Sequence, residues 1–587
     1  MHRAARLCPH ARRARAGPGD AAPPHRGAAD RRLRGGRRSR PRQARPHGHG
    51  VRAPRGHRDR HVGQSAHRGP REDPRRRGCR NAGQAASAGG RPPPCHRSRP
   101  RAGASGGHHS PRGQGTRDLP SDRDREAAVR RAGDRAGIGG LVTAWDSALV
   151  ARALSVSGPR GLRFTGVTTD TRDLTPGALF VALKGDRFDA HAFLDQARTK
   201  GAAAAVVRRG TPPVDGLSYF EVADTLAALG LLARARRRLL APGSPVVAVT
   251  GSSGKTSTKE MIRAVLATTY RVHATSGNLN NLVGVPLTIL AAPDDAEALV
   301  VEAGASVPGE IPRLRDVIEP TIAVITNVGY AHVEGFGSLA GVMQEKLALV
   351  EGARLAVVGT EPPELAREAR RHAPTVVAGT GAGAQVRPDA TELDEEGHPR
   401  ITWRGQTVTL PVVGFHQIEN AMLALAVGRE AGADPARAVA ALAGVRLPAG
   451  RGAVLSLGGL TVIDDTYNAN PGSLRWALKL ARWLADRRRR PLAVVVGSML
   501  ELGPESARLH AVAAAEIVAL RPALVAAVGE FGPAFEPHRV ALGGRLITAP
   551  DADALGPRLK AALTGNEIVL LKASRGVALE RVLRHLN

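Results

Sequence analysis

The sequence predicts an α/β protein in which a long basic leader precedes three folded domains. Three observations lead there. From residue 246 onward, short apolar runs (VVAVT, ALVVEAG, IAVITNVG) alternate with helical segments, the pattern of strands joined by crossover helices in a mostly parallel, doubly wound sheet. The first of these runs opens through a Gly-containing turn directly into a helix, a phosphate-loop type of connection. Composition also breaks sharply near residue 140.

The break divides the charge unevenly. Of the net +31 carried by 587 residues, residues 1–140 hold 35 Arg, no Lys and only 10 acidic residues, with no Phe, Trp or Tyr. The remaining 447 residues carry about +6, an ordinary balance. The high overall pI belongs to the leader and is not read as a nucleic-acid footprint. Poor in branched aliphatics, residues 1–140 cannot bury enough apolar surface to offset ordering entropy, so the expectation is a disordered leader. Many Arg without one Lys is also what a GC-rich gene yields out of frame. Met1 is the only Met before Met261, so translation is expected to begin at an alternative codon near Leu141 or Val142. N-terminal sequencing of protein from its own host tests this.

All three cysteines (Cys8, Cys79, Cys95) precede residue 140, which excludes a disulfide framework or cysteine metal site beyond it. No apolar run reaches the ~18 residues of a membrane span, and the leader lacks the apolar stretch of an export signal. A cytoplasmic protein is expected.

Residues 142–157 show helical spacing; GVTTDTRDLTPGALFVALKG alternates β-rich runs with turn signals; HAFLDQARTKGAAAAVV reads as helix then strand, and 223–240 as helix. These make a small first α/β domain over 141–243, closed by the linker Ala241-Pro242-Gly243-Ser244-Pro245. A central domain spans 244–446. Beyond RLPAGRG, the runs LTVIDDTYN, LAVVVGSM, LVAAVG and EIVLLKAS give a third, Rossmann-like α/β domain over 447–587.

VVAVTGSSGKTSTKEMIRAVL (246–266) carries the strongest single signal. After Thr250, the turn Gly251-Ser252-Ser253-Gly254 lets backbone N–H groups wrap a phosphate at a helix N-terminus. Lys255 can reach the β- and γ-phosphates, and Thr256, followed by Ser257, is placed for Mg²⁺. The strict motif wants Gly six residues before the Lys, where Val249 stands, so this is a G-x-x-G-K-S/T variant. The chain is expected to bind ATP or a similar nucleotide.

This loop, with TSGNLNNLVGVPLTIL (275–290), VEAGASVPGEI (301–311), ITNVGYAHVEGFGS (325–338) and DDTYNANPGSL (464–474), resembles the Mur ligase family over about residues 142–587. Within the family the resemblance points to the activity that joins D-alanyl-D-alanine (D-Ala-D-Ala) to UDP-N-acetylmuramoyl-tripeptide (UDP-MurNAc-tripeptide). It implies a three-domain architecture, with UDP-sugar held by the first domain, ATP and Mg²⁺ by the second, and the dipeptide and adenosine side by the third. It also implies a chain that acts as a monomer, without nucleic acid or a membrane span. Open alternatives are a related ligase adding a single amino acid, and a nucleotide-dependent nucleic-acid-binding protein that uses the leader.

The resemblance also implies residue roles. Glu302 and His332 would be Mg²⁺-side residues with Thr256. Lys346 aligns with a lysine carried as a carbamate, although Glu345-Lys346-Leu347-Ala348 departs from the usual Ala-Lys-Gly-Glu. Asn420, in GFHQIENAMLAL with His416, would face adenine; Asp465 would hold the ribose. Arg451 would reach the γ-phosphate, which makes Lys255, Lys346, His332 and Arg451 the catalytic set. Thr171 and Arg172, with Lys184 near Asp189-Ala190-His191, would contact the UDP-sugar. Asn468, Lys572, Ser574 and Arg575 would complete the substrate side.

Overall fold

The computed structural model describes residues 145–185 and 188–586. The expectations for residues 1–140 lie outside the described residues.

The first sheet has four parallel strands in chain order: β1 (Val167–Thr168), β2 (Leu179–Val181), β3 (Ala204–Arg208) and β4 (Ser218–Val222). The expected helices are present as Ser147–Leu154 and Thr225–Arg237. Each begins at an aspartate, Asp146 or Asp224, whose side chain accepts from first-turn backbone N–H groups.

The second sheet is parallel throughout, built from β5 (Val246–Thr250), β6 (Val272–Ala274), β7 (Ala298–Glu302), β8 (Ile322–Ile325), β9 (Leu355–Val358) and β10 (Thr375–Val377), in the order β10-β9-β8-β5-β7-β6. β5, β7 and β8 are buried along their whole length, which is why they read as unbroken apolar runs. The chain fills one side of β5 with β6 and β7, then crosses to β8 on the other side. That reversal puts the crevice for a ligand beyond the carboxyl end of β5, between Glu302 and Thr326.

A three-stranded antiparallel sheet follows, β11 (Ala390–Leu393), β12 (Pro399–Trp403) and β13 (Gln406–Thr409), which the sequence reading does not anticipate. Its strands are short and mostly polar, and the tight β12–β13 turn uses Arg404-Gly405, both at positive φ, where Asn-Gly is the usual signal.

The third large sheet contains β14 (Ala453–Leu457), β15 (Leu460–Asp465), β16 (Leu492–Val496), β17 (Leu524–Val528), β18 (Leu546–Ala549) and β19 (Ile568–Lys572), in the order β14-β15-β19-β16-β17-β18. Only the edge strand β14 runs antiparallel. β14 and β18 are additions to the four strands read from sequence.

Apolar packing links these units unequally. One cluster runs from Trp145, Phe164 and Phe220 through Leu229 and Leu232 into Val246, Ile289 and Ile325, so the first two sheets share a core. The third sheet has its own layers, with Leu480, Val494 and Phe531 on one face and Val495, Leu555 and Leu579 on the other. Among the described residues no helix is long and apolar enough to cross a membrane.

Candidate active site

The turn after β5 has the shape its glycines allow. Gly251 has φ +151°, and a Cβ there would stand 1.9 Å from the Thr326 hydroxyl; at Gly254, φ +79°, it would meet Asn420 Oδ1 at 2.6 Å. No side chain fits at either place. Asn327, just past β8, clasps the turn: its carbonyl accepts from Ser252 N (3.0 Å) and its Oδ1 accepts from Ser253 N (3.0 Å). The loop's shape is therefore held by protein contacts. The helix Lys255–Leu266 begins at Gly254 without a side-chain cap, so its first N–H groups point into a cleft of about 500 Å³.

Lys255 donates to Gly251 O (2.8 Å), folded back over the loop. Loss of hydration pushes its ammonium below the usual lysine range; Glu302 opposes this and Arg451 adds to it. Thr256 Oγ1 donates to Glu302 Oε2 (2.8 Å), and Asn280 Nδ2 donates to Oε1 (2.8 Å). Glu302 is thus a buried carboxylate held by two neutral donors. A buried carboxylate of this kind, beside a hydroxyl on a phosphate-binding helix, suits a hard oxygen-seeking divalent cation. His332 lines the same cleft, with its Nδ1 against the Glu501 carboxylate of the third domain. Thr256, Glu302 and His332 thus line one cleft.

Lys346 is buried on the helix Leu339–Leu347, and burial first, then Lys255, pushes its pKa down to about 7. The neighbouring Glu345 is spent on structure, accepting from Gly309 N and Ile311 N.

The opposite wall comes from the third domain. The β15–β19 register sets Asp465 beside Lys572, whose Nζ reaches Asp465 Oδ2 (2.6 Å) and Asn468 O (2.8 Å). Asp465, Asn468 and Lys572 line the cleft with Lys255, Thr256 and Ser257. Arg451 follows Gly450 and stacks 3.9 Å from the Tyr467 ring, facing the same space. Asn420 lines the cleft too, but its amide is already occupied: Oδ1 accepts from Thr258 Oγ1 (3.0 Å) and Nδ2 donates to Gln417 Oε1 (2.9 Å).

Three domain descriptions of one family match this chain: the catalytic domain of the Mur ligase family over residues 163–237, the Mur ligase middle domain over 249–428, and the glutamate ligase domain of Mur ligase over 450–575. The UDP-N-acetylmuramoyl-tripeptide–D-alanyl-D-alanine ligase of Bacillus subtilis (strain 168) is 37% identical over 436 residues, covering 72% of this chain and 93% of that protein. The chain belongs to the Mur ligase family. The enzyme of the same name from Escherichia coli (strain K12) is 36% identical over 440 residues, 72% of this chain and 93% of its own length. Among solved structures, crystal structure I of MurF from Acinetobacter baumannii superposes with a TM-score of 0.68 at 29% identity, covering 75% of this chain and 98% of that one. MurF ligase from Thermotoga maritima in complex with ADP gives 0.63 at 30%, covering 72% and 96%.

Not every expected residue of this Mur ligase meets in the nucleotide cleft. Thr171, Arg172 and Lys184 belong to the first domain and are absent from the cleft wall. Thr171 Oγ1 donates to Gln196 Oε1 (2.5 Å), Arg172 pairs with Asp170 and Lys184 with Asp189. Ser574 lies behind the wall, its hydroxyl accepting from Leu500 N (2.9 Å) and donating to Ala469 O (3.3 Å). Arg575 is exposed, its guanidinium 5.8 Å from the centre of the Tyr467 ring. The sequence reading missed the Asn280 and Asn327 contacts, although both residues lie inside motifs it singled out; their partners are 22 and 74 residues away.

Proposed function

We propose that this Mur ligase joins D-Ala-D-Ala to UDP-MurNAc-tripeptide with ATP, giving the pentapeptide, ADP and phosphate for peptidoglycan synthesis. The observation that carries the reading is the convergence of Lys255, Glu302 and Arg451 with Asp465 and Lys572 on one cleft between two domains. The similarity to ligases of that name over nearly their whole length supports the substrate assignment.

The tripeptide carboxylate attacks the γ-phosphorus of ATP; the P–O bond to ADP breaks and an acyl phosphate forms. The dipeptide amine then attacks that carbonyl, losing a proton as phosphate leaves. Carboxylate and triphosphate are both anionic, so their approach must be screened. Lys255 meets the phosphates from the loop and Arg451 from the opposite wall. Thr256, Glu302 and His332 would hold Mg²⁺, which when bound supplies positive charge at the phosphate oxygens. By the family resemblance Asp465 would hold the ribose and Asn420 would face the adenine. Thr171, Arg172 and Lys184 would hold the UDP-sugar on domain 141–243, against ATP on 244–446. Asn468, Lys572, Ser574 and Arg575 would order the substrate side on 447–587.

Lys346 suits a carbamate. With its pKa near 7, much of the amine has already given up its proton at physiological pH, the form that attacks CO₂; forming the N–C bond releases a second proton and leaves an anion where the lysine had been a cation. Lys346→Ala should lose at least about a hundredfold in kcat, the scale of one misplaced catalytic charge. Partial return of activity with added short-chain carboxylates checks the carbamate; no return argues against it.

Incubation with ATP, UDP-MurNAc-tripeptide and alternative acceptors tests the whole reading. Phosphate release with D-Ala-D-Ala but not with single amino acids is the expected result. Release with D-Glu instead would assign the chain to another member of the family, and release stimulated by nucleic acid would reject the ligase.

A further inference from the structure

Asn470 sits buried at the seam between the third domain and the phosphate loop, and its amide faces two ways. On one side it is the N-cap of the helix Pro471–Arg488: Oδ1 accepts from Ser473 N (2.8 Å) while Ser473 Oγ accepts from Asn470 N (3.1 Å). On the other, Nδ2 donates to Ser253 Oγ (3.0 Å) and to Ser252 O (3.3 Å), across to the central domain, and Oδ1 lies at a longer 3.4 Å from the same Ser253 hydroxyl. Capping needs only the oxygen, which Ser, Thr or Asp would supply equally well. Asn alone adds a donor aimed at the loop.

The loop is built to receive that donor. The backbone of Ser253 is already saturated from its own domain: N donates to Asn327 Oδ1, and O accepts from Thr326 Oγ1 (2.5 Å) and Asn327 Nδ2 (3.2 Å). Its hydroxyl is what remains to face the third domain. Apolar packing joins the two domains at Val413, Tyr330 and Leu393, which lie against the core of the third, while at the loop itself polar contacts of this kind set how the wall carrying Asp465 and Lys572 seats.

We propose that Asn470 is a positioning residue, the latch through which the third domain closes onto the phosphate loop, so that seating of a nucleoside triphosphate and domain closure become one event. This rests on the reading that the loop after Thr250 binds the phosphates of ATP. The latch acts through Ser252 and Ser253, without touching the transferred group.

Two substitutions separate latch from cap. Asn470→Ser keeps the capping oxygen and deletes the donor. Asn470→Asp also keeps the cap but sets a carboxylate oxygen against the Ser252 carbonyl. In the full chain both should melt within a degree or two of the parent without ligand. KM for ATP should rise about five- to tenfold for Ser, as for one lost neutral hydrogen bond, and further for Asp. Hydrogen exchange supplies a readout that capping would not move: ATP with Mg²⁺ should protect residues 466–474 in the parent and much less in either variant. Ser253→Ala approaches the same contact with the cap untouched, and combined with Asn470→Ser should add little. Parent-like KM and protection in Asn470→Ser would overturn the latch, as would full additivity of the two changes. If Asn470→Ser fails to fold, Ser253→Ala with parent-like KM and protection overturns it equally. A parent that binds ATP no more tightly than Lys255→Ala would instead reject the nucleotide site itself.

Discussion

Tyr467 shows how a side chain with no chemistry of its own can set the position of one that has it. Its ring carries the Arg451 guanidinium at 3.9 Å, while Arg575 approaches at 5.8 Å. Arg451 Nε is buried with no hydrogen-bond partner among the described residues, so the ring face is what fixes the group. Tyr467→Leu should lower kcat about tenfold, the equivalent of ~1.4 kcal/mol, with a smaller change in KM for ATP. Tyr467→Phe, which keeps the face, should restore it; steady-state kinetics of the pair decides. The sequence announced Lys255, Thr256, Glu302 and Asp465 because each closes an apolar strand or opens the helix after one. It could not announce Asn327, Asn470 or Glu501, since what matters about them is a partner in a distant segment.

At the scale of elements, the phosphate helix is fixed by its neighbour. Lys255–Leu266 lies against His416–Glu430 so closely that a Cβ on Gly428 would stand 2.4 Å from Val265 Cγ1. Gly428→Ala should therefore cost about 1–3 kcal/mol through overpacking and raise KM for ATP, because the displaced helix carries the loop. Adding Val265→Ala should recover part of both, as read by thermal melting and kinetics. His416 begins the partner helix, and burial pushes its pKa down to about 4, with Asp465 opposing and Lys572 adding. Above the unfolded value of about 6.5 both states are neutral, and below it the unfolded chain takes the proton first. Stability present at pH 7 is thus lost between about 6.5 and 4, at up to about 1.4 kcal/mol per pH unit from this group. The gap in melting temperature between the parent and His416→Gln should narrow as pH falls through that window; a constant gap would remove His416 from the account. Buried parallel strands were legible as unbroken apolar runs, and the helices as capped periodic segments. The β11–β13 hairpins were not, because a polar, one-sided sheet leaves no such run and Arg404-Gly405 gives no recognised turn signal.

For the whole molecule, the distribution of apolar cores predicts two cooperative blocks. The first and central domains share one cluster and should melt together; the third, whose two clusters bury, among the described residues, a single one of the central domain, Val413, should melt separately. Calorimetry without nucleotide should resolve two transitions, and ADP with Mg²⁺ should draw them together, because a ligand touching both blocks stabilises their joined form. A single transition in the absence of ligand would contradict this.

The seam itself, made of Asn470 on Ser252 and Ser253, the His332–Glu501 pair and the Glu334 N–H to Glu501 O bond, is polar where the nucleotide passes. When the lobes part there, water replaces those partners almost one for one, and the greasy surface uncovered is confined to the neighbouring contacts of Val413, Phe415, Tyr330 and Leu393 with the third domain. An opened form of this protein should therefore stay soluble and well populated, so that substrates can enter and product can leave without unfolding either lobe.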